Sequence, residues 1–186
     1  PTRRSSDLEI DYNTRTEKPA HCTLDIVRIG TCGGLQPYTP LGTWLCSVKS
    51  IGFDGLLNYY AGRDSVCDLD FERAFVAHME WSLKKGAPYV ANANPDLLKR
   101  IMADDKRMVP GVTIACGGFY GPQGRVLRAQ LADPNQNQKV ESFEYKGMRI
   151  TNFEMESSAV AGLASILGHR AMTVCMVIAN RYAKES

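Results

Sequence analysis

The sequence predicts an α/β protein with a largely parallel or mixed sheet. Two observations carry this reading. Short, near-continuous apolar runs such as Leu24–Ile29 and Ala171–Ala179 alternate with segments at helical spacing, as buried strands alternate with their covering helices. Several of those runs also end in glycine-rich turns, where sheets of this kind gather ligands. A chain of 186 residues is long enough for one domain with a sizeable core, burying roughly 70% of its unfolded surface.

The opening PTRRSS, residues 1–6, is polar, basic and aperiodic, and is expected to be a foreign or disordered tail ahead of a single domain spanning 7–186. Leu24–Ile29 reads as a buried strand ending in glycine, and Leu45–Ile51 as a second strand. From Leu69 to Lys85, Phe71, Phe75, Val76, Met79 and Leu83 follow helical spacing. Asp68 or Asp70 can cap that helix, and Gly86 is expected to stop it. His78 falls on it among apolar neighbours and is expected to be a satisfied helix histidine. Tyr89–Ala93 is a short strand before a helix at Pro95–Ala103, with Pro95 in a first-turn position. Val109–Cys116 leads into the glycine-rich loop Gly117–Arg125. Arg149–Phe153 is a strand, Met155–Leu167 a helix ended by Gly168, and Ala171–Ala179 a fully buried strand.

Composition excludes several functions. Twenty-two basic and 20 acidic residues leave a net charge of +2 with no basic run, which argues against nucleic acid or an anionic membrane as partner. The longest strongly apolar stretch is far shorter than the roughly 20 residues of a membrane helix. Six scattered cysteines, with no CxxC pair and no histidines at ligand spacing, read as reduced thiols in a cytoplasmic protein without a metal site.

Three motifs remain. In VRIGTCGG, Arg28 lies in an apolar strand and so needs an anionic partner: a carboxylate such as Glu156, or a phosphate cradled with Thr31 and the bare backbone around Gly30. In GGFYGPQGR, Phe119, Gln123 and Arg125 offer a stacking face, a donor–acceptor amide and a guanidinium, a set suited to a planar heterocycle with NH and C=O edges, although a surface turn fits the same residues. In ITNFEMESS, Glu154 and Glu156 flank Met155 where a strand runs into a helix. Carboxylates there serve either as first-turn charges favoured by the helix dipole or as ligands for sugar hydroxyls, over which a thioether can pack.

Together with FEMESSAVAGLASILGHRA and VIANR, these motifs resemble the nucleoside phosphorylase family of uridine phosphorylases and hexameric purine nucleoside phosphorylases, over nearly all of Leu8–Arg181 and nearest its uridine phosphorylase-like branch. The resemblance implies a three-layer α/β/α fold with a central mixed β-sheet, incomplete at both termini. It implies Arg28, Gly30 and Thr31 as phosphate ligands, with Thr31, Met155 and Glu156 at the ribose. It assigns Phe119, Gln123, Arg125, Glu154, Ile178 and Ala179 to the base, with Arg181 as polar support, and gives the catalytic roles to Arg28, Gln123, Arg125 and Glu156. Purine-specific members place an aspartate near Asn180, so asparagine there is expected to favour a pyrimidine. The implied reaction is phosphate-dependent cleavage of uridine to uracil and ribose 1-phosphate, with inorganic phosphate as co-substrate and no metal or organic cofactor. The implied assembly is a homo-oligomer, a dimer or a hexamer built from dimers, with sites at subunit interfaces. A purine nucleoside phosphorylase, a nucleosidase of the same fold and a catalytically incomplete nucleoside-binding fragment are the alternatives. The family's early GDPxR-like phosphate segment and its terminal helix have no counterpart in this sequence, which is expected to be a fragment.

Overall fold

The computed structural model describes residues 9–104 and 107–183, and the tail expected at 1–6 lies outside the described residues. A two-residue hairpin, β1 (Ile10–Asp11) with β2 (Thr16–Glu17), stands apart from a seven-stranded mixed sheet. The sheet is built from β3 (Asp25–Gly34), β4 (Trp44–Gly52), β5 (Tyr89–Asn92), β6 (Met108–Ala115), β7 (Glu144–Tyr145), β8 (Met148–Glu154) and β9 (Arg170–Asn180). Helices α1 (Arg63–Val66), α2 (Leu69–His78), α3 (Pro95–Asp104), α4 (Gln136–Ser142) and α5 (Ser157–Ile166) punctuate it. The mixed α/β architecture with a central mixed sheet is therefore the one the strand–helix alternation predicts.

The strands run in the order β3-β9-β4-β6-β8-β7, with β5 on β4. Pairings β3–β9, β4–β6 and β6–β8 are parallel, whereas β4–β9 is antiparallel. The end of β3 also pairs with β8, Gly33 opposite Phe153 and Gly34 opposite Asn152, so five strands close into a ring. Closing a sheet requires local bends, and register shifts at Cys32/Gly33, Ser47/Lys49 and Val112/Thr113 supply them. At Gly34 a side chain has no room, since a Cβ would sit 2.8 Å from Thr39 Oγ1 and 2.9 Å from its carbonyl.

Three apolar clusters hold the elements. Phe71 and Phe75 of α2 meet Phe143, Val140 of α4, Ile114 and Ile150, with the Phe75 and Phe143 rings edge-on at 5.2 Å. Leu97 of α3 packs on Cys46, Met172 and Val174. Cys32, Leu45, Cys175 and Val177, from β3, β4 and β9, form the third. Gly162 lets α5 close on Leu57, whose Cδ1 would lie 2.5 Å from an added Cβ.

Three expectations need correction. The helix begun at Leu69 ends at His78 rather than Lys85; Glu80 takes a φ of 47°, Leu83 is fully exposed, and Trp81 turns back onto Phe53. Gly86 does not stop that helix: its carbonyl accepts from Trp81 Nε1 at 3.0 Å. The helix expected from Met155 begins at Ser157, after a bend at Met155–Glu156. Leu24–Ile29 belongs to a strand, but not a fully buried one: β3 has only β9 beside it for most of its length, and Ile29 is 74% exposed. Asp68 caps α2 through Phe71 N at 3.0 Å, and His78 Nε2 bonds the Lys139 carbonyl at 2.8 Å.

Candidate active site

The ends of β3, β8 and β9 and the loop after β6 surround a cleft of about 360 Å³. The residues that the sequence assigned to phosphate, ribose and base line it, whereas Arg181 and Asn180 do not: Arg28, Gly30 and Thr31 from β3; Phe119, Gln123 and Arg125 from the loop; Glu154, Met155 and Glu156 at the turn into α5; Ile178 and Ala179 from β9.

At one end Arg28 lies flat over Gly30, whose missing side chain makes room. A Cβ there would stand 2.9 Å from Nη1 and 3.0 Å from Nη2. The guanidinium reaches three acceptors. Nη1 meets Glu154 Oε2 at 3.1 Å and Cys175 Sγ at 3.2 Å, while Nη2 pairs with Glu156 Oε2. Burial works against the charge on Arg28. The negative fields of Glu154, Cys175 and Glu156 outweigh it and hold its pKa above the ordinary value. The carboxylate partner that the sequence left open is thus in place, and there are two of them.

The two glutamates divide the roles that the sequence left open. Glu154 is buried and accepts from Glu156 N at 2.9 Å, from Ser157 N at 3.0 Å and from Ser157 Oγ at 2.6 Å. It thereby satisfies amides at the start of α5 that would otherwise lack partners. Glu156 makes no side-chain capping bond, and its carboxylate, half exposed, looks into the cleft beside Thr31 and Met155.

At the other end Gln123 is buried on a single 3₁₀ turn, Gly121–Gln123. Its Oε1 accepts from Arg125 Nη1 and from Arg181 Nη2 at 3.1 Å, which orients the amide. Arg125 also donates to the Phe119 carbonyl at 2.6 Å and stacks over the Phe119 ring, 3.7 Å from its centroid. Arg181 bonds the Gln123 carbonyl and sits over the Phe153 ring at 4.6 Å. Burial, with the nearby charge of Arg125, brings the Arg181 pKa down to about 10. Two guanidiniums around one buried amide make this end rich in donors, a setting that favours an anionic or carbonyl-bearing ring.

Asn180 is not at the cleft. Its Nδ2 donates to the carbonyls of Gln36 at 3.1 Å and Thr39 at 2.6 Å, pinning the loop after β3, and its Oδ1 accepts from Ala183 N at 3.0 Å. The base preference read from Asn180 therefore loses its footing in contact with substrate. Sequence reasoning also passed over Cys175, hidden in an apolar run, and the close approach that Gly30 permits. Among the described residues no cluster of side chains could hold a metal ion, and no helix is long and apolar enough to cross a membrane.

The sequence and the fold have matches among known proteins. Residues 20–186 fit the sequence profile of the phosphorylase superfamily, and the chain belongs to that family. Within it, the relatives are uridine phosphorylases. The protein of Thermococcus kodakarensis is 28% identical over 167 residues, covering 86% of this chain and 50% of its own length. That of Escherichia coli is 28% identical over 166 residues, covering 86% and 54%. The chain spans about half the length of the curated relatives it matches. Among solved structures, a Trypanosoma brucei nucleoside phosphorylase described as showing uridine phosphorylase activity superposes with a TM-score of 0.80 at 25% identity, over 97% of this chain and 66% of its own.

Proposed function

We propose that the protein containing this chain cleaves uridine with inorganic phosphate to give uracil and ribose 1-phosphate, as a pentosyltransferase of nucleoside catabolism and pyrimidine salvage. The observation that carries the reading is the polarity of the cleft. Arg28, Thr31 and Glu156 stand at one end, and Gln123, Arg125 and Arg181 at the other. Uridine phosphorylase relatives support the same assignment.

In this reading phosphate replaces Glu156 on Nη2 of Arg28, with Thr31 and the Gly30 backbone completing the cradle. Glu156, released, accepts from the 2′- and 3′-hydroxyls while Met155 packs against the ribose. Cleavage of the glycosidic bond builds positive charge on the sugar and negative charge on the leaving base. Gln123 and Arg125 stabilise the base anion through preorganised donors, so no proton donor of tuned pKa is needed. Phosphate held opposite the leaving base attacks the anomeric carbon, and the C–N bonding pair leaves with uracil. Phe119, Ile178 and Ala179 wall the base, whereas Glu154, which the resemblance assigned to the base, is held at the Arg28 end by Nη1 and the amides of α5. Preference for a pyrimidine rests on Gln123 and Arg125 alone, since Asn180 faces away. The protein is read as cytoplasmic and homo-oligomeric; Val27 and Ile29, exposed on β3, fit a surface buried by a further copy.

The test is release of uracil from uridine, with inosine alongside, in phosphate and in phosphate-free buffer. Phosphate-dependent release of uracil is expected, and Arg125→Ala should lower it about a hundredfold or more. Release that ignores phosphate would point to a nucleosidase, and release of hypoxanthine to a purine enzyme. A chain that binds uridine without turnover, and loses only modest affinity in Arg125→Ala, would be a binding module instead.

A further inference from the structure

The partners of Arg28 are unequal. Glu156 is half exposed and, in the reading above, must leave the guanidinium to meet a sugar. Glu154 holds Nη1, but its oxygens also serve the first amides of α5. Cys175 is fully buried, directly beside Gly30 across the β3–β9 pairing. The arginine side chain crosses Gly30 to reach its sulfur, 3.2 Å from Nη1. Behind Cys175 stands Cys32, in the same buried cluster.

We propose that Cys175 is a positioning residue: its sulfur fixes Nη1 of Arg28 from below, so that Nη2 can exchange Glu156 for a phosphate oxygen without the guanidinium swinging away. The proposal rests on the phosphate assignment only for its last step. Cys175 suits the task because its sulfur accepts from Nη1 at a fixed place on β9. The thiol of Cys32 bonds to it and, with the charge of Arg28, holds Cys175 below the ordinary thiol range despite burial. Cys32 is driven the other way, by that same bond and by burial. Cys175 thus presents its sulfur lone pairs to the guanidinium, as the contact from Nη1 records. A guanidinium pinned on one side and free on the other loses less rotational freedom when an oxyanion arrives, which is the physical content of preorganisation.

The experiment uses the whole 186-residue chain, unsubstituted and as Cys175→Ala and Cys175→Ser. Three quantities are read: the Kd for inorganic phosphate and for uridine by calorimetry, and the mobility of the Arg28 guanidinium by ¹⁵N NMR, with Arg28→Lys identifying its signal. In Cys175→Ala the Arg28 signal should gain motion and phosphate should bind about three- to tenfold more weakly, as expected for loss of one bond to a charged group shared with another acceptor. Uridine should bind within about twofold of the unsubstituted chain. Cys175→Ser, whose hydroxyl can accept from Nη1, should restore both the signal and the phosphate affinity. An Arg28 signal unchanged in Cys175→Ala overturns the proposal. So does a parallel loss of both ligands that serine does not repair, which marks a packing role. Should the unsubstituted chain fail to bind phosphate, the phosphate assignment falls, and the NMR arm still decides whether Cys175 positions Arg28.

Discussion

Gly30→Ala isolates the geometry at Arg28 from the stability of the fold. Gly30 has an ordinary negative φ, so its backbone accepts alanine, and replacing glycine within a strand gains about 0.5–1 kcal/mol. The new methyl carbon would stand 2.9, 3.0 and 3.1 Å from Nη1, Nη2 and Cζ of Arg28. Those atoms end a flexible side chain, so the guanidinium moves and the strand does not. Moving it stretches the bonds to Glu154 and Cys175, at a cost of about 1–3 kcal/mol. The two effects leave net stability between about unchanged and about 2.5 kcal/mol lower, a Tm shift of at most about 10 °C for a chain of this size. Phosphate should suffer more: loss of a charge-assisted contact costs about 1.5–3 kcal/mol, roughly ten- to 150-fold in Kd. Calorimetric titration with phosphate and a thermal melt on the same sample check both halves. Phosphate affinity unchanged within twofold would refute the assignment of Arg28 as its ligand, and a collapse in Tm would refute the claim that only the side chain yields.

Two further outcomes follow from the polar contacts. Asn180→Asp sets a buried carboxylate against the carbonyls of Gln36 and Thr39 in place of an amide that donates to both; it should destabilise the fold by about 3–5 kcal/mol at neutral pH, read by urea unfolding. A cost under 1 kcal/mol would mean that the loop after β3 is not held by this residue. At Asp68 burial raises the pKa, but the bond from Lys49 at 2.7 Å and the amide of Phe71 outweigh it and leave the group below its ordinary value. A carboxylate depressed on folding stabilises above its unfolded pKa and loses that contribution as pH falls through the folded one. Urea midpoints between pH 6 and pH 3 should therefore fall more steeply for the unsubstituted chain than for Asp68→Asn, and identical slopes would refute the assignment.

What could be read from sequence, and what could not, divides by the range of the interaction that decides it. Strands such as Ala171–Ala179 were legible because burial of most of the strand leaves an unbroken apolar run; the structure extends that one by a single residue at each end, to Arg170 and Asn180, but it is not fully buried as expected, since Ile178 is exposed where the strand meets the cleft. The end of α2 was not legible. Leu83 continues the helical spacing by chance, while beyond the turn at Glu80 Trp81 packs on Phe53, distant in the chain, as well as on Phe75 of the helix itself. Ring closure was equally hidden, since it depends on Gly33 and Gly34 meeting Phe153 and Asn152.

The site follows the same division. Residue types at glycine-rich strand ends identified which side chains meet in the cleft, because that placement follows from local chain direction. Their partners did not follow. Asn180 sits one residue beyond Ala179, past the irregularity where β9 carries Ile178 as an extra residue against Cys32/Gly33, and its amide turns from the cleft to the loop carbonyls. Arg28 reaches Cys175 only because Gly30, two residues on along the same face, lacks a side chain and β9 lies alongside in parallel register. A glycine between an arginine and a buried sulfur on the neighbouring strand has no signature within either segment. It becomes meaningful once the two strands are paired, and Arg28 then meets a residue that no nearby motif contains.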